Sequence, residues 1–246
     1  MASLIAAFQF LTLFPIPTKP SEKKEVFAHS VRYFPLVGVV LALILSIAYE
    51  LLIVKFEDPA VCLMLVILLF FLTKGLHIDG LSDTFDAILS GQSREKMLVI
   101  MKDHNSGALG TAVLVFVLLL KVFLLSEIFE YMKFPALFLA LAGSRAGMSL
   151  ILGLFPYLRG SEGIGFSFTK YLTRVDWMIA VLIGLAVALV SCRFYGLFAF
   201  AAGLATILIF AWLVNRKLGG ITGDVVGAAN EIGEVAMLFW LKVFLV

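Results

Sequence analysis

The sequence predicts an all-α integral membrane protein: a bundle of six to seven transmembrane helices preceded by an N-terminal interfacial helix. Three observations carry that expectation. The 246 residues are 62% hydrophobic and only 15% charged, whereas a soluble domain is about half apolar and about a quarter charged. The mean hydropathy is +1.07. The apolar residues also gather in windows of roughly the 20 residues that a helix needs to cross a bilayer. Backbone polar groups cannot be left bare in lipid, so these windows read as helices rather than as strands of an open sheet. Residues 1–246 are expected to form one polytopic domain with the lipid bilayer as its surroundings. A net charge of +2 is too small to point to nucleic acid. The two cysteines, Cys62 and Cys192, lie far apart inside apolar runs and read as small core residues rather than zinc ligands.

Taken in order, the N-terminal "MASLIAAFQFLTLFPIP" lacks the basic start of a signal peptide and places Pro15 and Pro17 where cleavage would fall. It reads as an interfacial helix that stays attached. Spanning windows follow at 34–54, 59–76, 108–129, 134–155, 176–193 and 195–214. A seventh, 232–246, has only about 15 residues, so it must begin earlier or cross partially. Lys19, Lys23, Lys24 and Arg32 precede the first window; Lys74, Arg94, Lys96 and Lys102 follow the second. Arg159, Lys170, Arg174, Arg216 and Lys217 continue the alternation, while the other connections offer only Lys55, Lys133 and Arg193. The positive-inside rule therefore puts the N-terminus and segments 73–107, 156–175 and 215–231 in the cytoplasm. No repeat at a fixed period is visible, which weighs against an inverted-repeat transporter.

The polar chemistry gathers on that same side. "GLHIDGLSDTFDA" carries Asp79, Asp83 and Asp86 at i, i+4 and i+7, one face of a helix. Like charges so placed repel unless a cation lies between them, and clustered carboxylates suit Mg²⁺ or Mn²⁺. The alternative is a solvated face beside the membrane. His77 joins the acids only if the backbone breaks near Gly75 or Gly80. Lys102 and Asp103 stand before a glycine-containing turn that opens the next window, where helix-start N–H groups can hold a phosphate or simply cap. "LGGITGDVVGAANEIGE" places Asp224, Glu231 and Glu234 on a second acidic face after a phosphate-cradling type of turn, though without P-loop spacing. Arg145, mid-window, must face a polar interior, gripping either a phosphate or a carboxylate. Arg159 lies in a flexible turn at the next cytoplasmic exit. Lys121, also mid-window, reads as snorkelling or paired.

These motifs resemble the cobalamin synthase family nearly end to end. The resemblance rests on "FLTLFPIP" (10–17), "FPLVG" (34–38), "GLHIDGLSDTFDA" (75–87), "MLVIMKDHNSGALG" (97–110), "YLRGSEGIG" (157–165) and "LGGITGDVVGAANEIGE" (218–234). It implies an adenosylcobinamide-GDP ribazoletransferase of a prokaryotic inner membrane, with its active site facing the cytoplasm. Such an enzyme uses Mg²⁺ to join adenosylcobinamide-GDP to α-ribazole or its 5′-phosphate, and releases GMP. Carried over by motif, it implies Asp79, Asp83, Asp86, Lys102 and Asp103 as catalytic residues, and His77, within the first motif, is a further catalytic candidate. Thr222, Gly223 and Asp224 would bind substrate, with Arg145 and Arg159 as candidates from their own positions; Asp79, Asp83, Asp86 and Asp224 would bind metal, with Glu231 as a candidate from the second acidic face. Two departures stand out: His104-Asn105 replaces the family's usual Ser-Arg, and Lys74 and Ala87 stand where glycines are common. A homo-oligomer is compatible with the sequence. The competing readings are a CDP-alcohol phosphotransferase, whose longer Asp-Gly-x-x-Ala-Arg pattern is absent after Asp79-Gly80, and a cation transporter, which predicts acids near mid-span.

Overall fold

The structure is a computed structural model and describes residues 1–17, 23–103, 107–158 and 164–245. Among these the chain is helical, without a strand. A short helix α1 (Ala2–Leu11) and a one-turn α2 (Lys24–Ala28) lead through a 3-10 segment into α3 (Phe34–Ile53). Then come α4 (Asp58–Leu72), α5 (Leu76–Leu89), α6 (Arg94–Ile100) and α7 (Ala108–Glu127). The chain ends with α8 (Lys133–Leu154), α9 (Ile164–Tyr171), α10 (Arg174–Leu218) and α11 (Gly223–Leu245). Proline in the first turn starts both α3 and α4, where its missing N–H costs nothing and its fixed φ suits a helix.

Helix α8 is the axis of the bundle, and every residue from Leu139 to Leu152 is buried. In lipid the apolar faces of helices gain little from one another, so close packing by small residues replaces the hydrophobic drive. The run "LALAGSRAGMSL" supplies that packing. A Cβ at Gly38 of α3 would lie 2.3 Å from the Leu141 carbonyl oxygen, and one at Gly147 would meet Ile207 of α10 at the same distance. Large apolar side chains point outward instead, among them Leu51, Phe71, Phe116, Leu182, Val190 and Phe194. Exposed apolar surface on this scale marks a membrane-embedded chain.

Among the described residues four helices are long and apolar enough to cross a membrane, the α2–α3 unit, α7, the α8 unit and α10, and the bent pair α4–α5 makes a fifth if it is one span. A straight helix of 45 residues, as α10 would be, is about 68 Å long, more than twice the hydrocarbon core. The backbone breaks at Arg193, with φ 51° and ψ −134°. Beyond the break, Gly196 returns so close that a Cβ would sit 2.1 Å from the Ala188 carbonyl oxygen. The windows expected at 176–193 and 195–214 are thus the two arms of one hairpin.

The window expected as a straight span over 59–76 is corrected. Its helix stops at Leu72, and α5 leaves at 92° to it. The last window begins earlier than its apolar run: α11 starts at Gly223. The expected N-terminal helix is present as α1, and its Ala6, Ala7 and Leu11 are buried. At the far end of the bundle Lys133 donates to Asp58 Oδ2 at 2.8 Å and to the Leu125 carbonyl at 2.6 Å, while Tyr49 donates to Asp58 Oδ1 at 2.7 Å. That clamp ties four helices where the connections are short.

Candidate active site

The site begins with the bend before α5. Lys74 and Gly75 both take left-handed backbone angles, φ 60° and 64°, and two such residues in succession turn the chain sharply. A Cβ at Gly75 would also lie 2.6 Å from the Phe70 ring, so this position needs glycine on two counts. The left-handed angle at Lys74 gives a physical reason why glycine is common there in the resembled family. Past the bend, α5 lies against the first turns of α11. A Cβ at Gly80 would be 2.7 Å from the Asp224 carbonyl oxygen, and one at Gly227 would be 3.2 Å from His77 Cα. The glycines of both motifs are thus what lets the two backbones meet.

Their meeting leaves a cavity of about 200 Å³. His77, Asp79, Asp224, Gly223 and Tyr157 line it beside an apolar wall that includes Phe10, Phe34, Met148 and Phe168. The start of α11 is held in place from both sides. Leu158 N–H donates to the Ile221 carbonyl at 2.9 Å, and Ile221 N–H donates to Pro156 at 2.8 Å. Thr222 is buried; its hydroxyl donates to Asp224 Oδ2 at 3.2 Å and accepts from Val225 N–H at 3.4 Å. A helix N-terminus with glycine at its first residue offers N–H groups and positive dipole to an anion. A larger groove of about 520 Å³ runs past Val39, Phe138 and Val190 on the outer surface, but no titratable side chain lines it.

The acids of the first motif separate. Asp79 is exposed at the cavity, and Asp83 is half-buried one turn along. Asp86 turns away: its oxygens accept from Gly107 N–H at 2.7 Å and Gly110 N–H at 2.8 Å, at the start of α7. A Cβ at either glycine would lie within 2.4 Å of that carboxylate. The expectation that Asp79, Asp83 and Asp86 aim at one point is corrected, because the free N–H groups of α7 claim the third. Among the described residues no three His, Cys, Asp or Glu side chains are gathered as metal ligands.

His77 sits on the same continuous helix as the acids, because the break falls at Lys74-Gly75, just before it. It is buried, and it is among the residues that line the cavity with Asp79 and Asp224. Lys102 and Asp103 are exposed on the turn after α6 and do not line that cavity. Arg159, His104 and Asn105 lie outside the described residues.

Deeper in the bundle four further charges pair with one another. Lys121 of α7 bonds Glu231 at 2.5 Å and Glu234 at 2.7 Å. Arg145 is fully buried, 3.1 Å from the other Glu234 oxygen and 2.9 Å from the Leu141 carbonyl. Its Nη1 meets a carboxylate, while Nε and Nη2 are buried without a partner among the described residues. Glu231, expected among the metal ligands, is bonded to a lysine instead. Two cations and two carboxylates cancel, which is what buried charge requires. Lys121, expected to snorkel or to pair, is paired, and Asn230 is a residue of this set that sequence reasoning missed. Asn230 and Glu234 at i and i+4 were a signal on one helix, but the lysine lies on another helix more than a hundred residues away.

The fold and the cavity define a class: a membrane-embedded helical protein with carboxylates from two separate motifs beside a helix N-terminus. Residues 3–242 match the family described as Cobalamin-5-phosphate synthase. The chain belongs to that family. It is 33% identical over 244 residues to the adenosylcobinamide-GDP ribazoletransferase of Caldanaerobacter subterraneus subsp. tengcongensis, covering 99% of this chain and 98% of that one. It is 35% identical to the enzyme of that name from Klebsiella pneumoniae, covering 97% and 98%. The corresponding protein of Desulforamulus reducens is 37% identical, covering 97% and 95%. No solved structure matches the chain.

Proposed function

We propose that this chain is an adenosylcobinamide-GDP ribazoletransferase, acting in cobalamin synthesis as its relatives are named to do. One observation carries the assignment to this site: Asp79 of α5 and Asp224 of α11 line one cavity at the start of a helix suited to phosphate. In the reaction a ribose hydroxyl of α-ribazole, or of its 5′-phosphate, attacks the cobinamide-bound phosphorus. A new P–O bond forms, the bond to the GMP oxygen breaks, and the hydroxyl proton passes to a carboxylate at the rim. The transition state spreads negative charge over phosphoryl oxygens, so positioning and fixed charge supply most of the acceleration.

Mg²⁺ fits the carboxylates present, because it is commonly held by one or two carboxylates with substrate phosphate completing its shell. Asp79 and Asp224 would hold it, with Asp83 beside them. Bound there, it supplies positive charge to the phosphates. The N–H groups at the start of α11 orient the phosphoryl oxygens, and Thr222 fixes that turn. The aromatic wall excludes water and offers a flat apolar surface to a planar base.

The cavity opens at the end of the bundle that carries Arg94, Lys96, Arg216 and Lys217, where Lys217 donates to the Ile88 carbonyl at 2.9 Å. The positive-inside rule makes this the cytoplasmic face of the inner membrane. Cysteine at position 92 should label only from the cytoplasmic side in oriented vesicles.

The decisive assay is GMP release from GDP-cobinamide and α-ribazole by the purified chain, titrated with Mg²⁺. No release, together with cation flux in liposomes, would favour a transporter. Against that reading, the deep carboxylates Glu231 and Glu234 are already neutralised by Lys121 and Arg145.

A further inference from the structure

His77 has two ring nitrogens with different surroundings. Nδ1 lies 3.1 Å from Asn230 Nδ2, and the same Asn230 nitrogen lies 3.0 Å from Glu234 Oε1. Nε2 is buried and has no partner among the described residues. His77 is one of the residues that line the cavity with Asp79 and Asp224.

The bond to Glu234 decides the orientation of everything else. A carboxylate between two cations only accepts, so the amide group facing it must be the NH₂. Lys121 and Arg145 hold Glu234 in that state from both sides. One hydrogen of the NH₂ goes to Glu234, and the other points at His77 Nδ1. Nδ1 therefore accepts, and a neutral ring then carries its hydrogen on Nε2. An unpaired N–H in a buried place is costly, and an oxygen of a bound ligand would satisfy it.

We infer that His77 is a fixed hydrogen-bond donor, presenting Nε2–H to a substrate oxygen in the cavity, with Asn230 and Glu234 as its positioning residues. This rests on the reading of the cavity as the site of phosphoryl transfer. A nitrogen that carries the hydrogen has no lone pair for a metal ion or a hydroxyl proton, so His77 serves neither as ligand nor as base at that atom. It acts beside the carboxylates, meeting oxygen lone pairs that they would repel. The oxygen belongs to the diphosphate of GDP-cobinamide or to the ribose of α-ribazole.

The test uses the full chain in lipid nanodiscs with ¹⁵N-labelled histidine. The chain has 3 histidines, and His77→Gln identifies the signals of His77. The expected ligand-free spectrum shows an unprotonated Nδ1 and a protonated Nε2. The Nε2 signal should then move on adding GDP-cobinamide alone or α-ribazole alone, and whichever moves it names the oxygen. Asn230→Asp offers only an acceptor to Nδ1 and should transfer the hydrogen to it. In turnover, His77→Leu should lose about 10- to 100-fold in kcat/KM, the worth of one hydrogen bond to a charged group. His77→Gln, whose amide nitrogen can donate, should recover most of that loss.

A hydrogen on Nδ1 in the wild-type chain would overturn the inference, as would an Nε2 signal that neither substrate moves. So would a leucine variant within about threefold of wild type. Because the tautomer is read without substrate, it stands or falls separately from the proposed reaction, which GMP release by the wild-type chain decides.

Discussion

Asp224 and Glu234 stand on one broad face of α11, yet they live under different rules. Asp224, in the first turn, lines a cavity beside a helix N-terminus, whose dipole favours a carboxylate. Glu234, further along, is locked between Lys121 and Arg145 and bonded to Asn230. The difference is one of surroundings, not of residue type. Where the helix end meets a cavity, an acid lines the space a ligand would enter. Where the helix runs through the bundle, an acid persists only as part of a neutral, hydrogen-bonded set. Asp79 and Asp86 repeat the contrast along α5: one reaches the cavity, and the other is consumed by the N–H groups of α7.

The largest effect should come from breaking the inner set. Glu234→Ala leaves two buried cations short of carboxylate, a loss of about 3–5 kcal/mol. Thermal unfolding in detergent should show it as a collapse of the transition. Lys121→Met alone should be nearly as damaging, whereas Lys121→Met with Glu231→Leu removes one charge of each sign and should recover most of the loss. If the paired replacement is no better than the single one, neutrality is not what holds this region together.

Asp79→Asn and Asp224→Asn probe the cavity. Asp79→Asn, at an exposed position, should melt within about 0.5 kcal/mol of wild type, and Asp224→Asn, which keeps an oxygen for Thr222 but loses its charge at the helix start, should cost about 1 kcal/mol. Turnover should fall by roughly 10²–10³, the usual loss when charge stabilisation of a transition state is removed. The Mg²⁺ concentration needed for half-maximal GMP release should rise. Full activity with an unchanged metal requirement in both variants would remove them from the site.

Asp86→Ala should behave in a third way. It deletes the acceptor of two helix-start N–H groups, worth about 1–2 kcal/mol, while the Mg²⁺ requirement of the remaining activity stays that of wild type. A raised metal requirement with an unchanged melt would return Asp86 to the metal site. Lys102→Ala should have the smallest effect, with a melt within about 0.5 kcal/mol of wild type and an unchanged Mg²⁺ titration. A selectively weakened KM for GDP-cobinamide would instead draw that exposed turn into the site.

Hydropathy and the positions of basic residues are local quantities, and they were enough to predict a helical membrane bundle, four helices close to their observed bounds, and the end where the polar chemistry gathers. The paired arms of α10 were legible for the same reason, since Arg193 and the polar turn around it interrupt an apolar run. A break near Gly75 was open from the sequence, but its angle was not legible, because the turn depends on left-handed angles at both Lys74 and Gly75. Helical spacing likewise put Asp79, Asp83 and Asp86 on one face, but a face says nothing about which neighbour arrives. Only the tertiary structure brought Gly107 and Gly110 to Asp86, Lys121 to Glu231, and Asn230 between His77 and Glu234. Those partners come from other helices, and in the low dielectric between helices a polar group's role is set by the nearest opposite charge or hydrogen-bond partner rather than by its own sequence.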